Sequence, residues 1–522
     1  MSIGWRPAGA LAGIAAAAAA IGAAELVAVA TGARSAPIVA VGGVVVDNVP
    51  PPVKQFAIDL FGRYDKMALL VGTAVLLTGF AVLVGMLAVR SLPAGLAGVG
   101  VFAAVGVAAA LSRPGSGPPA ALPALVGGAV AAAVLWWLTA GPLRLPAATP
   151  TPSAEPGAPA RAGPADPAAR RRFLIGVAVT AGLAAASGLG GRWLSIRRSV
   201  SAARSAVELP RPESPAPAVP LGADLALPGL APYVTANRDF YRIDTALVVP
   251  QIDPADWTLR ITGRVRNPIT LSYADLLGRP MVERYITLAC VSNEVGGDLI
   301  GNARWLGVPV RDLLDEAGPL DGADQVVGRS ADGWTCGTPT VVLRDGRDAL
   351  LAVGMNGAPL PLEHGFPVRV VVPGLYGYVS ACKWVVELEL TSFADFDAYW
   401  VPRGWAARAP IKTQSRIDTP RGRTKLVAGP VTVAGVAWAQ HRGIARVEVR
   451  VDGGPWQTAA LARTVSIDTW VQWSWRWSAT PGEHTLQVRA TDAAGEVQTE
   501  REAPVEPDGA TGWHTVRVIV AD

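Results

Sequence analysis

The sequence predicts a chain of three parts: an N-terminal α-helical transmembrane bundle, a mixed α+β domain and a C-terminal β-sandwich. Three observations carry this. Five apolar runs fall before Gly191, strand and helix patterns mix between 240 and 402, and from Arg403 onward period-two alternation is broken only by turns. A chain of 522 residues, 50% of them hydrophobic and 57 of them glycine, is too long for one domain and too apolar for a wholly soluble one.

The runs Ala8 to Ala30, Met67 to Val89, Leu92 to Leu111, Pro119 to Thr139 and Phe173 to Gly190 are each long enough to cross a bilayer, which takes roughly 20 apolar residues. Residues 36–46 are too short to cross. With the PPPVKQFAIDLFGRYDK that ends at Lys66 they read as a re-entrant or interfacial segment. Glu25 is an ionisable group inside the first run, near its end and within reach of headgroups. None of the four histidines, His364, His441, His484 and His514, falls in a span, so haem held by histidine pairs is not expected and the bundle reads as an anchor or docking surface in lipid.

Residues 142–169 are rich in Pro, Ala and Thr without periodicity and read as a disordered connector. Arg170-Arg171-Arg172-Phe173-Leu174 follows. It suits both a cytoplasmic arginine cluster at the start of a span and an internal twin-arginine export pattern. With the N-terminus inside, five spans leave these arginines in the cytoplasm and everything after Gly190 outside. The divisions are then a membrane region over 1–191, a linker over 192–228 that is Pro-rich from Ser205, an α+β domain over 229–402 and a sandwich over 403–522.

Net charge is +4, and Lys54, Lys66, Lys383, Lys412 and Lys425 are the only lysines. With no basic stripe interleaved with aromatics, nucleic acid is not an expected partner. Cys290, Cys336 and Cys382 form no CxxC pair, which argues against a zinc knuckle or disulfide framework. Cys336 and Cys382 either pair outside the cell or stay as buried thiols.

In the soluble part, Trp257 to Thr262 alternates as a strand and LSYADLLG reads as a short capped helix. The stretch organising the domain is 285–310. A strand from Tyr285 to Ala289 ends at Cys290, a Gly-rich polar loop runs to Asn302, and extended structure resumes at Trp305 before a helix through Leu314. A cysteine where a strand meets such a loop has backbone room for a bulky group, and thiolate is a strong ligand for a soft or high-valent metal. Alone, Cys290 is equally a small buried hydrophobe. In the last part Val447, Val449 and Val451 share one face, as do Val516, Val518 and Val520, and Trp473, Trp475 and Trp477 read as sandwich core.

FYRIDTALVVPQIDPADWTLRITGRV (240–265), the Cys290 stretch and MNGAPLPLEHGFPVRVVVPGLYGYVSACKW (355–384) together resemble the molybdenum-cofactor domain of the sulfite oxidase family, and VAWAQHRGIARVEVRVDGGPWQ (436–457) is similar to that family's immunoglobulin-like companion. The resemblance spans roughly 230–522. It implies two-electron oxygen-atom transfer at a molybdenum held by a pterin dithiolene and by a protein thiolate at Cys290. It also implies pterin binding by Asn293, His364, Arg369 and Lys383, with one extra residue between the last two, and more weakly by Asp332 of RSADGWTCG. Dimerisation through the sandwich is a further implication, as is a separate electron carrier or quinone.

At the substrate side the resemblance is incomplete. Arg242 matches one of the family's substrate arginines and Tyr399 its active-site tyrosine. The two residues after Asn293, arginines in sulfite enzymes, are Glu294 and Val295, and Glu506 stands where another arginine precedes a Trp-His pair. Carboxylates in place of arginines reverse the local field, so a neutral or cationic oxide, such as a sulfoxide or N-oxide, is expected rather than sulfite. Pairing of Glu294 with Arg304 is the plainer account of that carboxylate. A genuine sulfite oxidase and a cofactor-free extracellular binding module are the alternative readings.

Overall fold

The computed structural model describes residues 5–49, 65–113, 116–141, 167–197 and 200–522, with Val53, Phe56 and Leu60. Contacts divide them into two units, the N-terminal helices with Ala246–Val248, and Val200–Thr245 with Val249–Asp522. Most of the PPPVKQFAIDLFGRYDK part of the expected interfacial segment, and nearly all of the connector expected at 142–169, lie outside the described residues.

The first unit contains α1 (Trp5–Thr31), α2 (Pro37–Asn48), α3 (Asp65–Arg90), α4 (Leu92–Leu111), α5 (Leu122–Thr139) and α6 (Pro167–Arg197). Among the described residues, five helical stretches are long and apolar enough to cross a membrane: Arg6–Thr31, Met67–Arg90, Leu92–Leu111, Pro118–Thr139 and Ala168–Gly191. Helix α1 packs against α3, α5 and α6. Its approach to α3 brings backbone onto backbone, because a Cβ at Gly13 would lie 1.9 Å from the Ala81 carbonyl oxygen and one at Gly85 would lie 2.1 Å from that of Gly9. Arg170 to Arg172 fall in the first turns of α6, with Phe173 buried.

In the second unit a helical turn, α7 (Ser201–Ala206), precedes two sheets. Their strands are β1 (Thr258–Gly263), β2 (Ile269–Ser272), β3 (Val282–Ala289), β4 (Ile300–Pro309), β5 (Gln325–Ser330), β6 (Thr335–Pro339), β7 (Leu350–Met355), β8 (Ala358–Pro359), β9 (Arg369–Val371) and β10 (Val385–Thr391). One sheet has the order β2-β1-β10-β5-β6; the other is β3-β4-β7-β8 with β9 on β7. Helix α8 (Tyr273–Leu277) starts in a capping box, the Ser272 hydroxyl accepting the Asp275 N–H while the Asp275 carboxylate accepts the Ser272 N–H. Helix α9 (Val310–Ala317) follows β4 directly and buries Val310, Leu313, Leu314 and Ala317. The Pro-rich stretch from Ser205 is bonded to this unit along its length: Ser214 bridges Val282, the Glu213 N–H donates to the Met281 carbonyl, and the Leu225 N–H donates to Gln472 Oε1. An extended Pro-rich backbone leaves its polar groups free for such contacts.

The C-terminal strands are β11 (Gln414–Thr419), β12 (Lys425–Val427), β13 (Gly429–Trp438), β14 (Ile444–Val451), β15 (Gln457–Thr458), β16 (Ala460–Leu461), β17 (Val471–Ala479), β18 (Gly482–Asp492) and β19 (His514–Ala521). They form two sheets, β11-β13-β17-β16 and β12-β19-β18-β14-β15. Val447, Val449, Leu486, Val488, Val516, Val518 and Val520 from one meet Val433, Trp473 and Trp477 from the other, so the tryptophan stripe is core.

Candidate active site

The β3–β4 ladder runs to the pair Ala289–Ile300, so residues 290–299 form a loop that leaves and rejoins the same two strands. The loop is closed by its own bonds. The Cys290 N–H donates to the Leu299 carbonyl (2.9 Å), the Asn293 N–H to the Cys290 carbonyl (3.1 Å), and the Leu299 N–H to Asn293 Oδ1 (2.8 Å). Asn293 thereby fixes the loop as a side-chain cap. Cys290 is buried, its Sγ accepts the Ser292 N–H at 3.4 Å, and burial pushes its thiol above the ordinary range. A protonated thiol is a poor nucleophile, which argues against cysteine covalent catalysis.

The sandwich braces this loop from outside. Gly296 has φ +80, and a Cβ there would lie 2.2 Å from His514 Cδ2. Arg416 Nη1 donates to the Gly297 carbonyl at 2.6 Å while its Nε donates to Asp418 Oδ1. His514 Nδ1 accepts the Ile417 N–H at 3.0 Å, and burial, followed by the Arg416 charge, draws its pKa down to about 4, so the ring stays neutral.

A buried basic cluster is built from β9, the turn before it and the segment after Val379. Arg369 is 5% exposed; its Nη1 donates to the His364 carbonyl (3.1 Å), and the Trp305 ring lies 5.1 Å from the guanidinium. Among the described residues no carboxylate pairs with it, and burial lowers its pKa to about 10. Lys383 Nζ donates to Asp244 Oδ2 (2.8 Å) and to the Glu363 carbonyl (3.0 Å); burial lowers its pKa to about 8, with Asp244 opposing. Asp244 Oδ2 also accepts Arg242 Nε at 2.9 Å, so Arg242 and Lys383 share one carboxylate. His364 Nε2 lies 3.0 Å from the Asn237 carbonyl, which only accepts, so this nitrogen carries the proton and Nδ1 is left as an acceptor. Burial and then Arg369 lower its pKa to about 4.

Asp332 sits in the β5–β6 turn, where its Oδ1 accepts the Trp334 N–H at 3.1 Å and its charge acts on the Cys382 thiol, as does that of Arg369. Cys336 and Cys382 are buried free thiols whose sulfurs both pack over Gly328. Tyr399 donates its N–H to Thr335 Oγ1 and carries the Arg403 guanidinium 3.8 Å over its ring. Arg304 Nε pairs with Glu283 Oε1 at 3.2 Å, so it is Glu283, diagonal to Arg304 across the β3–β4 ladder, that takes the partner expected for Glu294. Glu294 is exposed on the Cys290 loop. Two residues beside the cluster escaped the sequence reading. One is Asp244, which an acid two positions after Arg242 hinted at. The other is Tyr241, which stacks on Phe240 at 5.1 Å and feels the charges of both Cys290 and Arg369.

A buried guanidinium without a carboxylate is uncompensated unless an anion completes it, and its planar fork suits phosphate. Tyr241 feels the charges of both Arg369 and the buried Cys290 thiol, and donors of this kind fit a metal cofactor that carries a phosphate. Residues 246–400 match the family described as oxidoreductase molybdopterin binding domain, and 414–488 match bacterial Ig domain. An uncharacterized oxidoreductase of Bacillus subtilis, YuiH, is 34% identical over 158 residues, 30% of this chain and 75% of its own length. Human mitochondrial sulfite oxidase is 30% identical over 341 residues, 55% of this chain and 62% of its own. The chain belongs to the sulfite oxidase family of molybdopterin-binding oxidoreductases. It spans 62% of the length of the mammalian sulfite oxidases it matches. Among solved structures, the sulfane dehydrogenase SoxCD of Paracoccus pantotrophus is 25% identical with a TM-score of 0.49, over 56% of this chain and 82% of that one.

Proposed function

We propose that this chain is a membrane-anchored oxidoreductase that holds a molybdenum–pterin cofactor through Cys290 and acts on a small oxide outside the cytoplasmic membrane. The observation that carries the reading is Arg369, a buried cation with no carboxylate partner among the described residues, in a family whose matched domain binds molybdopterin. When bound, the cofactor supplies two-electron oxygen-atom transfer; the protein ligates, orients and tunes. Cys290 Sγ gives the thiolate, and because burial raises that thiol, metal binding must release its proton. Arg369 and Lys383 hold the phosphate. Neutral His364 offers Nδ1 to a pterin N–H, Asn293 keeps the cysteine loop closed, and Asp332 belongs to the same set of pterin positions. Arg242 and Tyr399 are the substrate-side residues of the family pattern.

A sulfoxide or N-oxide suits this chain better than sulfite. Glu294 is exposed on the Cys290 loop and not bonded to Arg304, and Glu506, also exposed, brings its Oε1 against Gly404. Carboxylates at these positions repel a dianion. The five apolar helices support anchoring, and the Arg170–Phe173 pattern supports export of a folded, cofactor-loaded domain. Electrons are exchanged with an external carrier or quinone, and the sandwich offers the surface for a homodimer.

The test is metal and pterin analysis of the purified full chain beside Cys290→Ser, with Mo(V) EPR. Stoichiometric molybdenum in the wild type, with an altered signal in the variant and activity down by about 10³-fold or more, is the expected result, since the ligand itself is changed. Absence of molybdenum after expression in a cofactor-competent host would sink the reading and leave an extracellular binding module in front.

A further inference from the structure

The tyrosines around Cys290 differ in what their hydroxyls already do. The Tyr378 hydroxyl donates to the Ala406 carbonyl at 2.6 Å. That of Tyr376 is bonded to the Lys412 backbone and lies against Gly509. Farther off, the Tyr233 hydroxyl donates to Thr469 Oγ1 at 2.9 Å and accepts the Val465 N–H. Tyr399 holds Arg403 on its ring face. Tyr273 also has a hydroxyl without a partner, but in the core; Tyr241 differs in feeling the charges of Cys290 and Arg369. It is half-buried, and among the described residues its hydroxyl has no hydrogen-bond partner.

Its position is defined from several sides. The ring stacks on Phe240, which is itself wedged edge-on against Trp305 and His364. The hydroxyl faces Gly377: a Cβ added there would lie 3.9 Å from Tyr241 Oη and 3.7 Å from the Ala289 carbonyl, the residue just before Cys290. The missing side chain at Gly377 leaves a methyl-sized gap between the phenol and the Ala289 carbonyl. Burial first, and the Cys290 charge second, push the phenol above its ordinary range, with Arg369 opposing. Any phenol keeps its proton near neutral pH and so acts as a donor, not a base. An unpartnered O–H on the side of the cysteine that the molybdenum reading makes the ligand asks for an acceptor from a ligand.

We propose that Tyr241 is a catalytic residue whose hydroxyl donates a hydrogen bond to the oxygen atom of the substrate bound at the Cys290 centre. This rests on the molybdenum reading above and narrows its substrate. The donor is neutral, and the nearby exposed cation, Arg242, is tied to Asp244. With Arg242 held by Asp244 and the Arg369 charge taken up by the cofactor phosphate in the reading above, a neutral donor favours an uncharged S–O or N–O bond over an oxyanion. It also moves the role that the family pattern gives to Tyr399.

The experiment uses the full-length holoprotein in detergent, as wild type, Tyr241→Phe and Tyr399→Phe. Three quantities are read: molybdenum and pterin content, exchangeable-proton coupling in the Mo(V) EPR spectrum in H2O against D2O, and kcat/KM for dimethyl sulfoxide with a reduced viologen as electron donor. Tyr241→Phe is expected to keep its cofactor, lose the exchangeable coupling and lose about 10²-fold in kcat/KM, the size seen on removing one preorganised donor. Tyr399→Phe keeps the coupling. A wild-type coupling in Tyr241→Phe overturns the assignment, as does loss of the coupling in Tyr399→Phe alone. Loss of molybdenum from Tyr241→Phe overturns it too, since the ring would then be a wall of the cofactor pocket. A wild type without molybdenum is a different failure, that of the functional reading itself.

Discussion

Two arginines within the same unit are buried to nearly the same degree, Arg369 at 5% exposed and Arg416 at 8%, yet they are compensated in opposite ways. Arg416 has Asp418 at 2.5 Å and also holds the Gly297 carbonyl. Arg369 has carbonyl oxygens and the Trp305 face, and no carboxylate among the described residues. The sandwich neutralises its own buried charge because that charge serves structure. The basic cluster leaves one charge open, and an open buried charge marks where a ligand completes the protein.

The largest effect is expected at the closed pair. Asp418→Ala strands Arg416 and also removes the acceptor of the Ala231 N–H, so stability measured by denaturant unfolding should fall by about 3–5 kcal/mol. Arg369→Leu should behave differently. With no carboxylate to strand, the cofactor-free protein changes by about 1 kcal/mol or less, while retention of the cofactor through dialysis drops roughly 10- to 100-fold, the worth of one or two charged hydrogen bonds. Equal destabilisation by the two variants would erase the distinction between them. The smallest effect is a pH dependence. The Lys383 pKa is lowered to about 8, so its positive charge is present below that value and lost as pH rises through it. Reconstitution of the cofactor-free protein should therefore weaken about tenfold per unit above pH 8, and Lys383→Arg should flatten that slope.

What was legible in the sequence is what local pattern encodes. Alternation gave the sandwich faces from Val447, Val449 and the tryptophans of β17, and the apolar runs gave the helices of the first unit. The strand ending at Cys290 and its Gly-rich loop were also readable, because β3, the loop and β4 are consecutive. What was hidden depends on residues far apart in the chain. Asp244 meets Lys383 across 139 positions and Arg416 meets Gly297 across 119. Glu283 rather than Glu294 reaches Arg304 only because of a ladder register that no periodicity states. Tyr241 was passed over for the same reason, since nothing in FYR says that its hydroxyl ends facing Gly377.

The brace on the cysteine loop bears on modularity. The two matched segments, 246–400 and 414–488, look like separable parts, open to shuffling by evolution or by an engineer. Arg416 and His514 press on Gly297 and Gly296 from opposite ends of the sandwich sequence, and His514 lies beyond the second matched segment altogether. A chimera that keeps the catalytic domain and borrows another immunoglobulin-like partner would inherit Cys290 but not the contacts that hold its loop. The two folds are thus one inheritable unit, and the boundary between them is not a place where the chain can be cut and rejoined at will.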